Sequence, residues 1–212
     1  FYNISLYIQK KTQKPIFNNL LMSIILIILF LKISNIPYEN FKIGADVINF
    51  MLGPVTVVLA VPLYRQFDLL KKHFKEILVG ILGGVITSFI IVVLIGKLTS
   101  TSNEIIYSMI PKSITTPMGI SLVNQLGGVE SITVVCIIVT GIFGNIFAEL
   151  ICKIFRINEP IAKGIAIGSA SHAIGTAKAM EMGEIEGAMS SLSIAVAGIL
   201  TVFGATLFSN FM

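Results

Sequence analysis

The sequence predicts an all-α, polytopic integral membrane protein with an inverted repeat, each unit being a re-entrant, broken-helix hairpin followed by a transmembrane helix. Three observations support this fold class: an apolar composition, several long apolar runs, and two polar segments that resemble each other. Of the 212 residues, 55% are hydrophobic and 12% are charged, whereas soluble domains carry about 25% charged residues. The composition excludes a soluble enzyme, and we expect no enzymatic activity.

Five apolar runs are long enough to cross a bilayer, which takes about 20 residues. They span residues 16–34, 45–63, 77–97, 131–152 and 188–211. A shorter apolar stretch, residues 1–8, is interpreted as the end of a first helix whose start is missing. We expect residues 1–97 to form scaffold helices and residues 98–212 to form a transport region, with repeat units at 104–152 and 164–211.

The basic residues predict the orientation of these helices. Ten of the 15 lie in three connections, residues 9–16, 64–76 and 153–163. The positive-inside rule places these connections in the cytoplasm of a multi-pass protein of the cell membrane. We therefore attribute the net charge of +4 to orientation and expect no nucleic-acid partner.

With this orientation, residues 104–128 and 164–186 must each begin and end on one side of the membrane. Both segments are rich in Gly, Ser and Thr, and prolines interrupt the first at Pro111 and Pro117. Irregular backbone at membrane depth is tolerated only where protein or a watery cavity satisfies its polar groups. The two segments are therefore predicted to be internal, re-entrant hairpins.

The two hairpin segments align at an offset of 56 residues. The aligned pairs are Ser113 with Ser169, Thr115 with Ser171, Thr116 with His172, Gly119 with Gly175, Gly127 with Gly183, and Glu130 with Glu186. Inverted repeats with broken helices that meet near the midplane are the architecture of many secondary transporters. This repeat is the strongest functional signal in the sequence.

The matched polar clusters are the predicted substrate-binding site. Helix N-termini and hydroxyl groups at membrane depth suit a small anion, although small residues also serve simply to pack membrane helices. The candidate residues are Ser113, Thr115, Thr116, Gly119, Ser169, Ser171, His172 and Gly175.

Several single residues have two possible roles. His172 could carry a proton during uptake, or it could be a neutral histidine bonded to backbone in a tight turn. Lys178 could bind a substrate carboxylate, or it could pair with Glu181 three residues later. Pro54 and Thr56 could form a wall of the site, or Pro54 could only kink a helix.

No metal site or cofactor is predicted. Cys136 and Cys152 lie on one apolar segment, about 160° apart around a helix, so they can neither form a disulfide nor share a metal. The sequence contains no nucleotide-binding loop and no catalytic Ser/His/Asp arrangement. ATP-driven transport by this chain alone is therefore excluded.

The sequence resembles the LrgB/CidB family of antiholin-like membrane proteins, which includes the plastidial glycolate/glycerate translocator of plants. The resemblance runs from about Phe1 to the end of the chain. Its most specific parts are Asn35-Ile-Pro-Tyr38 with Lys42-Ile-Gly44, Ala60-Val-Pro-Leu-Tyr64, Pro111-Lys-Ser-Ile-Thr-Thr116 and Gly168-Ser-Ala-Ser-His172. Thr-Thr-Pro-Met118 and His-Ala-Ile-Gly175 look closer to the translocator branch.

The resemblance implies two functions. The favoured one is secondary transport of a small monocarboxylate such as glycolate, glycerate or pyruvate, with proton coupling as an option. The alternative is an antiholin-like regulator of murein hydrolase activity and autolysis, acting with a holin-like membrane partner of the LrgA/CidA type. This alternative predicts association through the small-residue faces Gly80–Gly84 and Gly141–Gly144. We also expect a homo-oligomer in the lipid bilayer.

The predicted orientation can be tested by cysteine labelling. Cysteines introduced into connections 64–76 and 153–163 should not react with an impermeant reagent added to intact right-side-out cells, because both connections are expected to be cytoplasmic. Labelling of either connection from outside would contradict the orientation and the inversion of the repeat.

Overall fold

The structure is a computed structural model that describes residues 1–12, 17, 19–51, 54 and 60–209. The described residues are almost entirely helical and include no strand. Three of their helices are long and apolar enough to cross a membrane, Phe74–Leu98, Glu130–Ile154 and Glu184–Leu207. The all-α prediction is confirmed, and these helices are those of a membrane protein.

The chain divides into two compact units, residues 1–59 and 60–212. The first unit contains α1 (Tyr2–Thr12), α2 (Asn19–Ile33) and α3 (Tyr38–Phe50). The hydroxyl of Ser23 donates a hydrogen bond to that of Ser5 at 3.0 Å, which joins α1 to α2. The predicted run 45–63 starts too late, because α3 already begins at Tyr38, and much of its second half lies outside the described residues.

The second unit contains eight described helices. They are α4 (Ala60–Arg65), α5 (Phe67–Lys72), α6 (Phe74–Leu98), α7 (Asn103–Met109), α8 (Thr116–Leu126), α9 (Glu130–Ile154), α10 (Pro160–Met182) and α11 (Glu184–Ser209). The predicted runs 77–97 and 131–152 match α6 and α9 closely. Helix α11 begins four residues before the predicted run 188–211, since acidic residues such as Glu184 and Glu186 stabilise a helix N-terminus.

The boundary between the compact units, 59/60, differs from the boundary predicted between scaffold and transport region, 97/98. The boundary at 97/98 divides the chain by function and not by compactness, and it stays a prediction. Within the second unit, α6 packs against α7, α10 and α11. Helix α6, most of which falls in the predicted scaffold, therefore packs in one core with the two polar segments.

The first polar segment folds into a pair of short helices that we call the first hairpin, residues 103–126. A 3₁₀ turn, Ile110–Ser113, continues α7, and the backbone becomes extended at Ile114 and Thr115 before α8 starts. The chain then returns, because the N–H of Val129 donates to the hydroxyl of Ser108 at 2.7 Å. The chain therefore reverses at residues 114–115, which we call the break of this hairpin.

The second polar segment also reverses, and we call residues 160–182 the second hairpin. Helix α10 is interrupted at Ser171 and at His172, where φ is 44° and ψ is −145°. A Cβ placed on Gly175 would lie 3.2 Å from Cγ2 of Ile167, eight residues earlier. Such a contact is impossible along one continuous helix, where eight residues span about 12 Å. The two halves of α10 therefore run back along each other.

The two hairpins approach α6 from opposite ends. In the first, Ile106 lies against Gly96, and Ser113 lies 3.5 Å from Ser88 between hydroxyl oxygens. In the second, Cβ of Ser169 lies 3.3 Å from the Cβ position of Gly84. Because Gly84 and Ser88 are one helical turn apart, about 6 Å along the axis, the ends of the two hairpins meet near the middle of α6.

Helices α6 and α11 contribute to the apolar packing around both hairpins. The cluster around the first hairpin comprises Val92, Ile106, Ile110, Ile114, Leu122 and Ala205. The cluster around the second comprises Ile77, Ile81, Val85, Ile165, Ala188, Met189 and Ala197. Each cluster draws residues from both helices, so α6 and α11 fix the positions of the two hairpins together.

The packing of the second hairpin against α11 can be tested by a substitution at Gly168. A Cβ at this residue would lie 2.8 Å from Cα of Ser190 and 2.8 Å from Cβ of Ser193. Gly168→Ala should therefore destabilise the protein by about 1–3 kcal/mol through overpacking, measured by thermal unfolding in detergent. Gly83→Ala is the matched control, because nothing lies within 4 Å of its Cβ position; equal unfolding temperatures for both variants would refute the close approach.

Candidate functional site

A cavity of about 760 Å³ lies between α6, the first half of α10 and the end of the first hairpin. It extends along α6 from Glu76 to Ile91, a distance of about 22 Å at 1.5 Å per residue. Most of its wall is formed by glycine and apolar side chains, including Gly80, Gly84 and Ile165. The cavity is therefore elongated, its exposed wall is largely apolar, and its polar side chains lie in two separate groups.

Polar side chains gather where the two hairpins meet. Lys112 and Ser113 of the first hairpin, Thr87 and Ser88 of α6, and Ser169 of the second hairpin all line the cavity. The ammonium of Lys112 donates to the hydroxyl of Ser113 at 3.1 Å. Ser113 and Ser169, the matched pair of the sequence repeat, thus lie in one cavity.

The hydroxyl protons of the two matched serines are used differently. Ser169 donates its proton to the carbonyl of Ile165 at 2.7 Å, as serines in helices often do. Ser113 accepts a hydrogen bond from Lys112, which leaves its own proton for Ser88 or for a ligand. Of the two, Ser113 is the better placed to donate to an anion.

The opposite end of the cavity is acidic. Glu76 in the first turn of α6 and Glu159 just before α10 line this end, together with His73. Both carboxylates are exposed. The cavity therefore has an acidic end near the start of α6 and a basic end near the middle of the helix.

Thr115 and Thr116 do not line this cavity. Both are half-buried at the start of α8, where Thr115 precedes the helix without capping it through its side chain. Gly119 faces α9, where its Cβ position lies 2.5 Å from Cδ1 of Ile137. The packing role therefore accounts for Gly119, and likewise for Gly175, which packs inside the second hairpin.

Ser171 and His172 face α9. The hydroxyl of Ser171 donates to the carbonyl of Ile167 at 2.7 Å. Nε2 of His172 lies 2.9 Å from the carbonyl oxygen of Ile137. A carbonyl can only accept, so Nε2 carries a proton and donates it. This geometry fits the second role considered for His172, that of a histidine hydrogen-bonded to backbone. Proton transfer through His172 stays a prediction.

The three secondary candidates are Lys178, Pro54 and Thr56. Lys178 pairs with Glu149 of α9 at 3.5 Å and with Glu181 at 3.4 Å, so the ordinary ion-pair alternative accounts for it. Pro54 belongs to the first unit and is exposed. Thr56 lies outside the described residues.

The sequence analysis missed three residues of this region. Lys112 was not a candidate, although it is adjacent to a matched serine. Ser88 lies four residues after Gly84, which is the helical spacing that places it on the cavity face of α6. Ile137 contacts both hairpins, through its side chain at Gly119 and its carbonyl at His172; no motif in the sequence signals this.

No group of three metal-binding side chains is found in the described part of the chain. The fold and the site together define a helical membrane protein in which two interrupted helices meet at one cavity. The chain belongs to the LrgB-like family, whose family model matches residues 1–211. The resemblance inferred from the motifs is thereby confirmed.

The chain is similar to antiholin-like protein LrgB of Bacillus cereus (strain B4264) and of Bacillus anthracis (strain A0248). Each is 37% identical over 197 residues, which cover 93% of this chain and 86% of the relative. No solved structure matches the chain.

The bond between His172 and Ile137 can be tested by mutation. His172→Leu removes the donor and should lower the free energy of unfolding by about 0.6 kcal/mol, the average measured for interhelical hydrogen bonds in a membrane protein, and by at most about 1.7 kcal/mol, the largest value measured there. His73→Leu is the control, because the half-buried His73 side chain makes no hydrogen bond to another described residue. Thermal unfolding in detergent measures both, and an unchanged His172→Leu variant would argue against the bond.

Proposed function

We propose that the chain is a secondary transporter of a small monocarboxylate in the cell membrane. One observation carries this proposal: Ser113 and Ser169, matched in the sequence repeat, line the same cavity. A protein that only regulates a pore has no need for two polar hairpins that converge on a cavity of this size.

The proposed mechanism is alternating access. We infer that the hairpins are re-entrant and inverted relative to each other, since they approach α6 from opposite ends. The acidic end of the cavity lies beside connections 64–76 and 153–163, so it faces the cytoplasm in the predicted orientation. Rocking of one hairpin against α6 would close this end and open the other.

The substrate proposed from the family resemblance is glycolate, glycerate, pyruvate or a similar molecule. The chain acts without a cofactor and catalyses no chemical step in this proposal. Coupling to a proton through His172 and assembly into a homo-oligomer remain predictions.

The second candidate function is antiholin-like regulation of murein hydrolase activity and autolysis. The name of the Bacillus relatives favours this function over transport. One of the two small-residue faces expected to bind a partner is covered, because Gly141 lies against His172 and Gly144 against Ser171. The other face remains open, since Gly80 and Gly83 are exposed. A holin-like partner of the LrgA/CidA type could bind there, or on the exposed apolar side of α9 at Val135, Val139 and Phe143.

Uptake by the purified chain separates the two functions. Proteoliposomes that contain this chain alone should accumulate radiolabelled glycolate or pyruvate above empty liposomes if the chain is a transporter. Absence of uptake, combined with restored control of autolysis only when a holin-like partner is co-expressed, would favour regulation instead.

Substitutions at the matched positions locate the site within the transporter. Ser113→Ala should weaken uptake about 10- to 100-fold, because a hydrogen bond to a charged ligand is worth about 1.5–3 kcal/mol. Ser169→Ala should have a smaller effect, since its proton is already donated to Ile165. The exposed Ser102→Ala is the control and should transport like the parent.

The site predicted from the repeat also includes Thr116 and His172, so Thr116→Val and His172→Gln belong in the same experiment. If Thr116→Val lowers uptake while Ser113→Ala does not, the substrate binds at the start of α8 and not in the cavity. His172→Gln should remove any pH dependence of uptake between about pH 5 and 8 if this residue carries the proton.

A further inference from the structure

We infer that Lys112 is the group that selects anions in the cavity, and that its single positive charge makes the site specific for one carboxylate. This inference rests on the proposed function. Its starting point is the placement of Lys112, which lines the cavity next to Ser113 where the two hairpins meet.

Lys112 has no acidic partner in the described part of the chain. The lysines at the base of the second hairpin are paired there: Lys153 and Lys178 with Glu149, and Lys163 with Glu186. The ammonium of Lys112 instead donates to a neutral hydroxyl, that of Ser113. A half-buried cation in largely apolar surroundings is costly unless an anion or water compensates it, so the site is prepared for an anionic ligand.

The acidic end of the cavity does not supply this anion. Glu76 and Ser88 are twelve residues apart on α6, about 18 Å along the helix axis. At that separation the carboxylate cannot form an ion pair with Lys112, because such a pair needs the two charged groups within about 4 Å. Glu76 and Glu159 therefore leave the charge of Lys112 available to a ligand.

The polar groups match one carboxylate. One of its oxygens could accept from the ammonium of Lys112, and the other could accept the proton of Ser113, which is not donated to backbone. No second lysine or arginine lines the described cavity, so a second carboxylate on the ligand would meet only neutral hydroxyls such as that of Thr87, apolar wall such as Ile91, or the acidic end. The geometry thus favours monoanions over dianions and over neutral analogues.

The test compares three small ligands of similar size: glycolate, its neutral amide glycolamide, and the dianion malonate. Binding is measured as the ligand-induced rise in unfolding temperature of the purified chain in detergent, and transport as uptake into proteoliposomes. Glycolate should bind at least about tenfold more tightly than glycolamide, because an ionic hydrogen bond is worth about 1.5–3 kcal/mol. It should also bind more tightly than malonate, whose second carboxylate finds no second cation in the cavity.

Three variants assign the selectivity to Lys112. Lys112→Met should weaken glycolate binding about 10- to 100-fold and abolish the preference over glycolamide. Lys112→Arg keeps the charge and should retain the preference over glycolamide. Lys97→Met removes an exposed lysine near the end of α6 that does not line the cavity, and it should behave like the parent. The unfolding temperature without ligand checks that each variant is folded.

The two readouts separate this inference from the transport function. Uptake of glycolate that is unchanged in a folded Lys112→Met variant would overturn the role of Lys112 and leave transport standing. Glycolate binding that depends on Lys112 without any uptake would support the anion site and overturn transport. If Lys112→Met does not fold, the ligand preference of the parent decides: equal binding of glycolate and glycolamide would refute the inference.

Discussion

The structure depends on one constraint, the need to satisfy and shield backbone that leaves a helix inside an apolar bundle. Lipid offers no hydrogen bonds, so an interrupted helix is tolerated only where protein supplies them. At the break of the second hairpin, Thr176 donates to the carbonyl of His172 at 2.9 Å, and the amide of Asn145 donates to the carbonyl of Ile174 at 2.9 Å. Hydroxyl and amide side chains thus supply hydrogen bonds to backbone carbonyls at and just after the break.

Shielding comes from glycines on the helices that surround the hairpins. Gly84 of α6 lies against Ser169, and Gly141 and Gly144 of α9 lie against His172 and Ser171. A larger residue at these places would hold the breaks away from α6 and α9. The small-residue stripe Gly141–Gly144, which looks like an interface for a partner in the sequence, is therefore occupied within the second unit, where it brings polar side chains close to α9.

Much of this architecture is predictable from sequence because its signals are strong and local. The long apolar runs of α6 and α9 locate these helices within three residues, and the basic connections require two segments to reverse. Even the breaks, at 114–115 and at Ser171 with His172, fall within one residue of each other at the repeat offset of 56. The separation of helix α5 from α6 at His73 carries no such signal.

The residues that line the cavity were harder to predict, since a repeat aligns positions but does not tell which face of a helix they occupy. The alignment pairs Thr116 with His172, yet neither lines the cavity, whereas Lys112, which has no basic counterpart at Gly168, does. A cation that the repeat does not duplicate is overlooked by an argument from symmetry. It is also the feature that makes the two halves of the site chemically different.

Ile137 has a consequence of its own for how this unit tolerates change. Its side chain contacts Gly119 of the first hairpin, and its carbonyl accepts a hydrogen bond from the imidazole of His172 in the second hairpin. Residues that share a partner in this way do not contribute independently to stability. The effect on stability of a substitution at 119 should therefore depend on the residue at 172, although these residues belong to different hairpins, because both contact Ile137 of α9.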